Sequence, residues 1–387
     1  ARASALAVGS LMFMFAWVSL FDYWGWETRI ASYSMWLGEK FAPVSLSPEL
    51  AIVAIDEETE RALNKPFGSS WRADHARLLD QLAKAGVKSV AFDLEFNGQT
   101  DFDQALIDAA AQAKRSGTAV TFGLKSRLET GDIERAASGL GVLCIGNRLG
   151  YATIAPLAVK NADHTLGALA LHAVYRPRKI GPIDQEGHKL VLDSEDKTQL
   201  LNFAVLENVD AAQPKCGVIK AGDIVAEMIV KLSPINDLRN ANLRHRYEDV
   251  IVEPAAQRLK DKIVLIGVQK KGIDQVLVRG NEERFGVELH ADAINNLISK
   301  IHVRPLGESA QFLLMAAMAA VGAWLRYWRP ELPYRVRLTL LLAAAALYVV
   351  TTLLVYREFH VLLNSAYNLG ALLLAYWVVG RLVKRWA

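Results

Sequence analysis

Two acidic residues, Asp56 and Asp93, each stand at or near the end of a short apolar run that reads as a strand. Between them lie Trp71, Arg72 and His75, at the start of a helical pattern. If the strands are parallel neighbours, ligands lie beyond their carboxyl ends. Two carboxylates, a guanidinium, an imidazole and an indole on that edge could hold a small ligand or a cation. The same set could instead be an Asp–Arg–His hydrogen-bond network that only fixes the loop edge. Asp93 is flanked by Phe92 and Leu94, and an inward carboxylate there would need a partner. Later, His290 falls within Gly286-Val287-Glu288-Leu289-His290-Ala291, and Asp274 follows a strand ending at Val268. Both can be ligand contacts; a satisfied helical histidine and a turn cap are their plainer roles.

Other chemistry has no support in the residues. No nucleophile elbow, phosphate loop or His/Cys metal signature occurs, so we expect no enzyme activity, no catalytic residue, no cofactor and no bound metal. The formal net charge is +3, with Lys and Arg interleaved among acidic residues, which argues against a nucleic-acid partner. The two cysteines, Cys144 and Cys216, have no metal-ligand spacing. The sequence favours two separate buried thiols over a disulfide, which would constrain the unfolded chain by about 4 kcal/mol.

The elements that position these residues read as α/β. Strands are expected at Ala51–Ile55, Ser89–Leu94, Thr118–Gly123 and Lys262–Val268. Helices are expected over Asp74–Ala85, capped by Gly86, over Phe102–Arg115, and over Val287–Ile298. Strands and helices alternating in this way imply a parallel or mixed sheet with right-handed crossovers and flanking helices. Residues from about 124 to 260 read as continued α/β structure with an inserted antiparallel part, including a strand in Leu166–Tyr175 and turns in Arg176–Gly187.

The ends of the chain read differently. Ala5–Phe21 is apolar and uncharged, with Tyr23, Trp24 and Trp26 behind it, as an uncleaved membrane anchor would be. A signal peptide would carry a small-residue cleavage site, and none is clear here. Ala310–Leu325, Val336–Tyr356 and Val361–Gly380 supply three more spans, the last two separated by Arg357–His360. Ala316, Ala319, Ala320 and Ala323 offer close helix packing, within the chain or in a homo-oligomer. Arg2, the arginines between residues 326 and 337, and the basic tail at Arg381, Lys384 and Arg385 all fall on one side of a four-span arrangement. That side is the cytoplasm by the positive-inside rule. The expected division is residues 1–24 as an N-terminal transmembrane helix, 25–308 as an extracytoplasmic domain, and 309–387 as a three-helix transmembrane region with a cytoplasmic tail.

A resemblance sharpens this reading. Ile52-Val53-Ala54-Ile55-Asp56-Glu57, Trp71-Arg72-Ala73-Asp74-His75-Ala76-Arg77-Leu78-Leu79, Ala91-Phe92-Asp93-Leu94-Glu95-Phe96, Lys262-Ile263-Val264-Leu265-Ile266-Gly267, Asp274 and the Gly286–Ala291 run occur in an order that resembles the second type of CHASE domain. The resemblance spans roughly residues 22 to 308. It implies a bacterial extracytoplasmic sensory domain followed by three spans, in the inner membrane with the domain in the periplasm. In such proteins a cytoplasmic output usually follows; here the chain ends at Ala387, so signalling through a separate partner protein is expected. An accessory or structural subunit of a larger membrane complex, with the domain as docking surface, is the alternative. On either reading the partners are the lipid bilayer and other membrane or periplasmic subunits.

Overall fold

The computed structural model describes residues 26–125, 131–148, 152–161, 164–177, 179–180, 189–193, 198–202, 224–252, 255–327 and 332–386. The chain divides into two compact units: Pro43–His302, and residues up to Ala42 together with Val303–Ala387. Helix α1 (Trp26–Phe41) belongs to the second unit.

The Pro43–His302 unit opens with β1 (Leu50–Ile55), α2 (Glu57–Leu63), α3 (Arg72–Lys84), β2 (Ser89–Glu95), α4 (Asp103–Arg115), β3 (Ala119–Leu124) and β4 (Gly139–Val142). It continues with β5 (Gly146–Arg148), β6 (Ala152–Asn161), β7 (His164–Ala168), α5 (Leu169–Tyr175), β8 (Lys179–Ile180), β9 (Lys189–Asp193), β10 (Thr198–Asn202) and β11 (Ile224–Ile229). It closes with β12 (Arg244–Arg246), β13 (Ile263–Val268), β14 (Gln275–Val278), β15 (Glu282–Phe285) and α6 (Gly286–Ile298). The main sheet is mixed, in the order β11-β6-β7-β4-β3-β2-β13-β1-β12, with β5 paired to β6. Pairing is parallel from β7 to β12 and antiparallel at β5, β6 and β11.

Because both faces of this sheet are covered, its central strands read as unbroken apolar runs. The faces still alternate. Ala51, Val53, Ile55, Val90, Phe92, Val264 and Ile266 pack with α3 and α4 in one core. Leu50, Ile52, Ala91, Ile263 and Leu265 pack with α5 and α6 in another. Asp93 follows Phe92 and so turns toward the α6 side. The expected helix and strand bounds hold to within one or two residues, and Gly86 takes the left-handed conformation (φ +74) just past α3. One expectation fails: Leu166–Tyr175 is a strand only to Ala168, then the helix α5. Leu169, Ala170, Leu171 and Ala173 are all buried there, and a helix of seven residues, largely apolar, shows too little periodicity to read. Cys144 is also disulfide-bonded, against the expected free thiol; Cys216, the chain's other cysteine, lies outside the described residues.

The second unit adds β16 (Arg304–Pro305), α7 (Glu308–Tyr327), α8 (Tyr334–Phe359), β17 (Val361–Leu362) and α9 (Ala366–Trp386). Among the described residues, α7 and α8 are the helices long and apolar enough to cross a membrane. The first expected span, Ala5–Phe21, lies outside the described residues. The expected third C-terminal helix starts five residues late. Helix α8 runs through Phe359 and turns at His360 (φ +54), Val361 and Leu362 pair with Arg304 and Pro305, and Asn364 accepts a hydrogen bond from Tyr367 N (3.1 Å) to start α9. Ala319 and Ala323 meet Tyr367, Ala371 and Ala375 of α9, while Ala316 and Ala320 are exposed. A side chain at Gly322 would run into the Leu372 carbonyl, so the α7–α9 approach needs glycine there.

Candidate functional site

The seven residues singled out from sequence lie on different parts of the domain. Asp56 caps α2. Its Oδ1 accepts from Glu58 N and Thr59 N, both at 3.0 Å, and its Oδ2 from Arg244 Nη2 at 2.6 Å. Burial pushes its carboxyl up, but the Thr59 N–H and the Arg244 guanidinium outweigh this and hold it below the usual carboxylate range. From Arg244 the bonds continue along the sheet edge. Arg244 Nε donates to Gln269 Oε1 (2.6 Å), Gln269 Nε2 to Glu288 Oε1 (3.3 Å), and Arg239 Nε to the same oxygen (2.7 Å). Every carboxylate in this chain has a guanidinium partner, so the network ties β12, β1, β13 and α6 together.

Trp71 and His75 lie on the α3 side of the sheet. Trp71 is fully buried and donates from Nε1 to Pro66 O at 2.7 Å. His75 Nδ1 and Tyr247 OH share a 2.7 Å hydrogen bond. The rings of Phe67, Trp71, Phe92, Phe96 and Tyr247 surround the imidazole. Burial, with Lys65 and Arg72 nearby, drives His75 down to about 3, so it stays neutral. Arg72, next in sequence to Trp71, is buried and bonds the loop after β2: Asn97 O (2.6 Å), Gly98 O (2.9 Å) and the Asp103 carboxylate. These three residues build the domain.

Asp93, Asp274 and His290 come together on the other side. Asp93 Oδ1 lies 3.5 Å from His290 Nε2, and both side chains are more than nine-tenths buried. Asp93 Oδ2 has no hydrogen-bond partner. Burial raises the Asp93 carboxyl to about 7, offset in part by Lys125, and lowers the His290 imidazole to about 4. From about pH 4 to about pH 7 the contact is therefore between a protonated carboxyl and a neutral imidazole, and above that between a carboxylate and a neutral imidazole; in neither case is it an ion pair. Asp274 sits on an exposed turn with φ +52, and its carboxylate lies over Gly286 at the start of α6. Burial of that carboxylate and the charge of Asp93 both raise it. Gly267 makes the approach possible: a methyl group there would meet Val287 at 2.6 Å and Asp93 Cβ at 3.2 Å.

The structure thus joins Asp93, Asp274 and His290 on one face, packs Trp71 with His75 on the other, and places Asp56 and Arg72 in separate networks. Asp93 is separated from Trp71 and His75 by the sheet itself, because alternate residues of a strand point to opposite faces. Sequence reasoning missed Arg244, Glu288, Tyr247 and Lys125. Glu288 was within reach, since it is the third residue of α6, where a carboxylate can bond back to the Phe285 N–H (3.0 Å). Tyr247 lies far from His75 in sequence and gave no signal. Among the described residues no group of three or more His, Cys, Asp or Glu side chains is arranged to hold a metal ion.

No curated protein and no solved structure matches the chain. The CHASE2 domain profile matches residues 5–324, taking in both the fold and the Asp93 cluster. The chain belongs to the CHASE2 domain family, a family of sensory domains.

Proposed function

We propose that this protein is a membrane-anchored extracytoplasmic sensor whose input site is the Asp93–Asp274–His290 cluster and whose output is a separate partner protein. The observation that carries the reading is the buried Asp93 Oδ2 left without a partner, in a CHASE2 domain where the other candidate side chains are engaged in holding the fold. A buried polar atom without a partner costs free energy, so it persists where a role requires it. Membrane anchoring is supported by α7 and α8, whose exposed residues include Leu313, Trp324, Leu347, Val350 and Leu354. With the Ala5–Phe21 run and α9 as further spans, four crossings put the basic segments in the cytoplasm and the domain in the periplasm. We read the protein as non-catalytic.

The test is the melting temperature of the full chain in detergent, screened against small solutes at fixed pH and, separately, against pH. A ligand that binds the folded state raises it. Wild type should respond to at least one solute class or to pH itself, and His290→Ala should alter that response while Asp56→Asn keeps it. A response carried equally by both variants would place the input elsewhere.

The engagement of Asp56, Trp71, Arg72 and His75 in structural contacts favours a second reading, an accessory subunit with the domain as docking surface. Native purification that returns a partner at fixed stoichiometry, with no response to solutes or to pH in wild type or in the complex, would select it.

A further inference from the structure

The Asp93 cluster has a feature that points to its occupant. It holds two carboxyl groups and one imidazole, and the groups facing it from every side are few. Strand β2 contributes Asp93 itself and, two residues on, Glu95, whose Oε1 accepts from Lys125 N at 3.0 Å. The segment after β3 contributes Lys125. Strand β13 contributes Gly267, with no side chain. The turn after β13 contributes Asp274, its Lys270 being paired with Glu60 at 2.6 Å. Helix α6 contributes His290 and the apolar Val287. Among the described residues no arginine stands against Asp93, unlike Asp56. Asp93 Oδ2 therefore needs a donor that the described residues do not supply. A proton removes the uncompensated charge from that buried carboxyl and requires no space beyond the oxygen it binds.

Resting on the reading of this cluster as the sensory input, we infer that its ligand is the proton: Asp93 binds one from the surrounding water and its release moves the Asp274 turn. On release the carboxyl O–H bond breaks and the proton passes to water, with the exposed Asp274 turn as the exit. Asp93 is then an anion facing the Asp274 carboxylate. Like charges at close range in a poorly solvated site repel. The side that can give way is Asp274, on a turn, since Asp93 is held within β2 by its pairing with Gly267 of β13. Asp274 is held by a single backbone bond from Gly286 N to its carbonyl (2.9 Å), which closes the β14–β15 hairpin. Displacing it would loosen that hairpin and the first turn of α6.

The test is infrared titration of the full chain in membranes, combined with hydrogen exchange over residues 269–285. Wild type should show a protonated-carboxyl band that disappears as pH rises through about 7, together with faster exchange in the hairpin. The band should be absent in Asp93→Asn. In Asp274→Asn it should titrate at lower pH, because the repelling charge is gone; this exposed-turn variant also keeps the test open if Asp93→Asn folds poorly. The proposal is overturned if no carboxyl titrates near neutrality, if the band survives in Asp93→Asn, if Asp274→Asn leaves its midpoint in place, or if the hairpin exchanges alike in both forms. A solute that raises the melting temperature at fixed pH while no carboxyl titrates would keep the sensor and discard the proton.

Discussion

The two faces of the sheet each bury a histidine, and they treat it in opposite ways. On the α3 face, His75 has a hydroxyl partner at 2.7 Å and five aromatic rings around it. On the α6 face, His290 has a carboxyl at 3.5 Å, and that carboxyl has an oxygen with no partner. Both imidazoles are pushed to the neutral form by burial. What differs is whether the histidine's own partner is satisfied. A closed network with apolar packing supplies stability; a buried group left open is held at a cost and marks a place where something binds.

Breaking the α3 face should therefore change stability without changing its dependence on pH near neutrality. The largest effect is expected for Trp71→Ala, which empties the center of the aromatic cluster and should cost about 4 kcal/mol in denaturant unfolding. Arg72→Met leaves Asp103 and two carbonyls without their guanidinium, and should cost about 3 kcal/mol. Its second mark is faster hydrogen exchange over residues 97–103, with no change around Asp274. Gly267→Ala probes the other face: the added methyl overpacks Val287 against Asp93 and should cost about 2 kcal/mol. It should also shift the Asp93 titration, which Arg72→Met should not. Smallest is Asp56→Ala, where loss of the α2 cap should cost about 1 kcal/mol by thermal unfolding. Equal effects of Arg72→Met and Gly267→Ala on the Asp93 titration would erase the distinction between the faces.

Much of the scaffold was legible because its strands are short apolar runs between polar turns. Ala51–Ile55, Ser89–Leu94 and Lys262–Val268 each have a composition that suits a strand buried on both faces. Leu166–Tyr175 was not legible, since an apolar run of ten residues fits a strand, or a strand followed by a buried turn of helix. The site was half legible. The residue types were right, but one edge was assumed where there are two faces. Strand alternation already places Asp93 opposite Phe92, and that rule would have parted it from His75. Pairings such as His75–Tyr247 and Asp56–Arg244 depend on which distant strand lies alongside, which local pattern cannot reveal.

The separation of a closed face from an open one is tested most directly by the unfolding free energy of Asp93→Asn against wild type as a function of pH. In the folded chain Asp93 is raised from 3.8 to about 7. The folded state therefore holds this proton more tightly than the unfolded chain does. The stability it contributes is complete below 3.8 and is lost as pH rises through about 7. His290, lowered to about 4, works in the opposite direction; both proteins carry it, and His290→Ala on each background separates its share from that of Asp93. The account predicts that Asp93→Asn gains on wild type steadily across this window, by up to about 4 kcal/mol, and by nothing further above it. A difference that does not change with pH, or one that grows in favor of wild type, would contradict it.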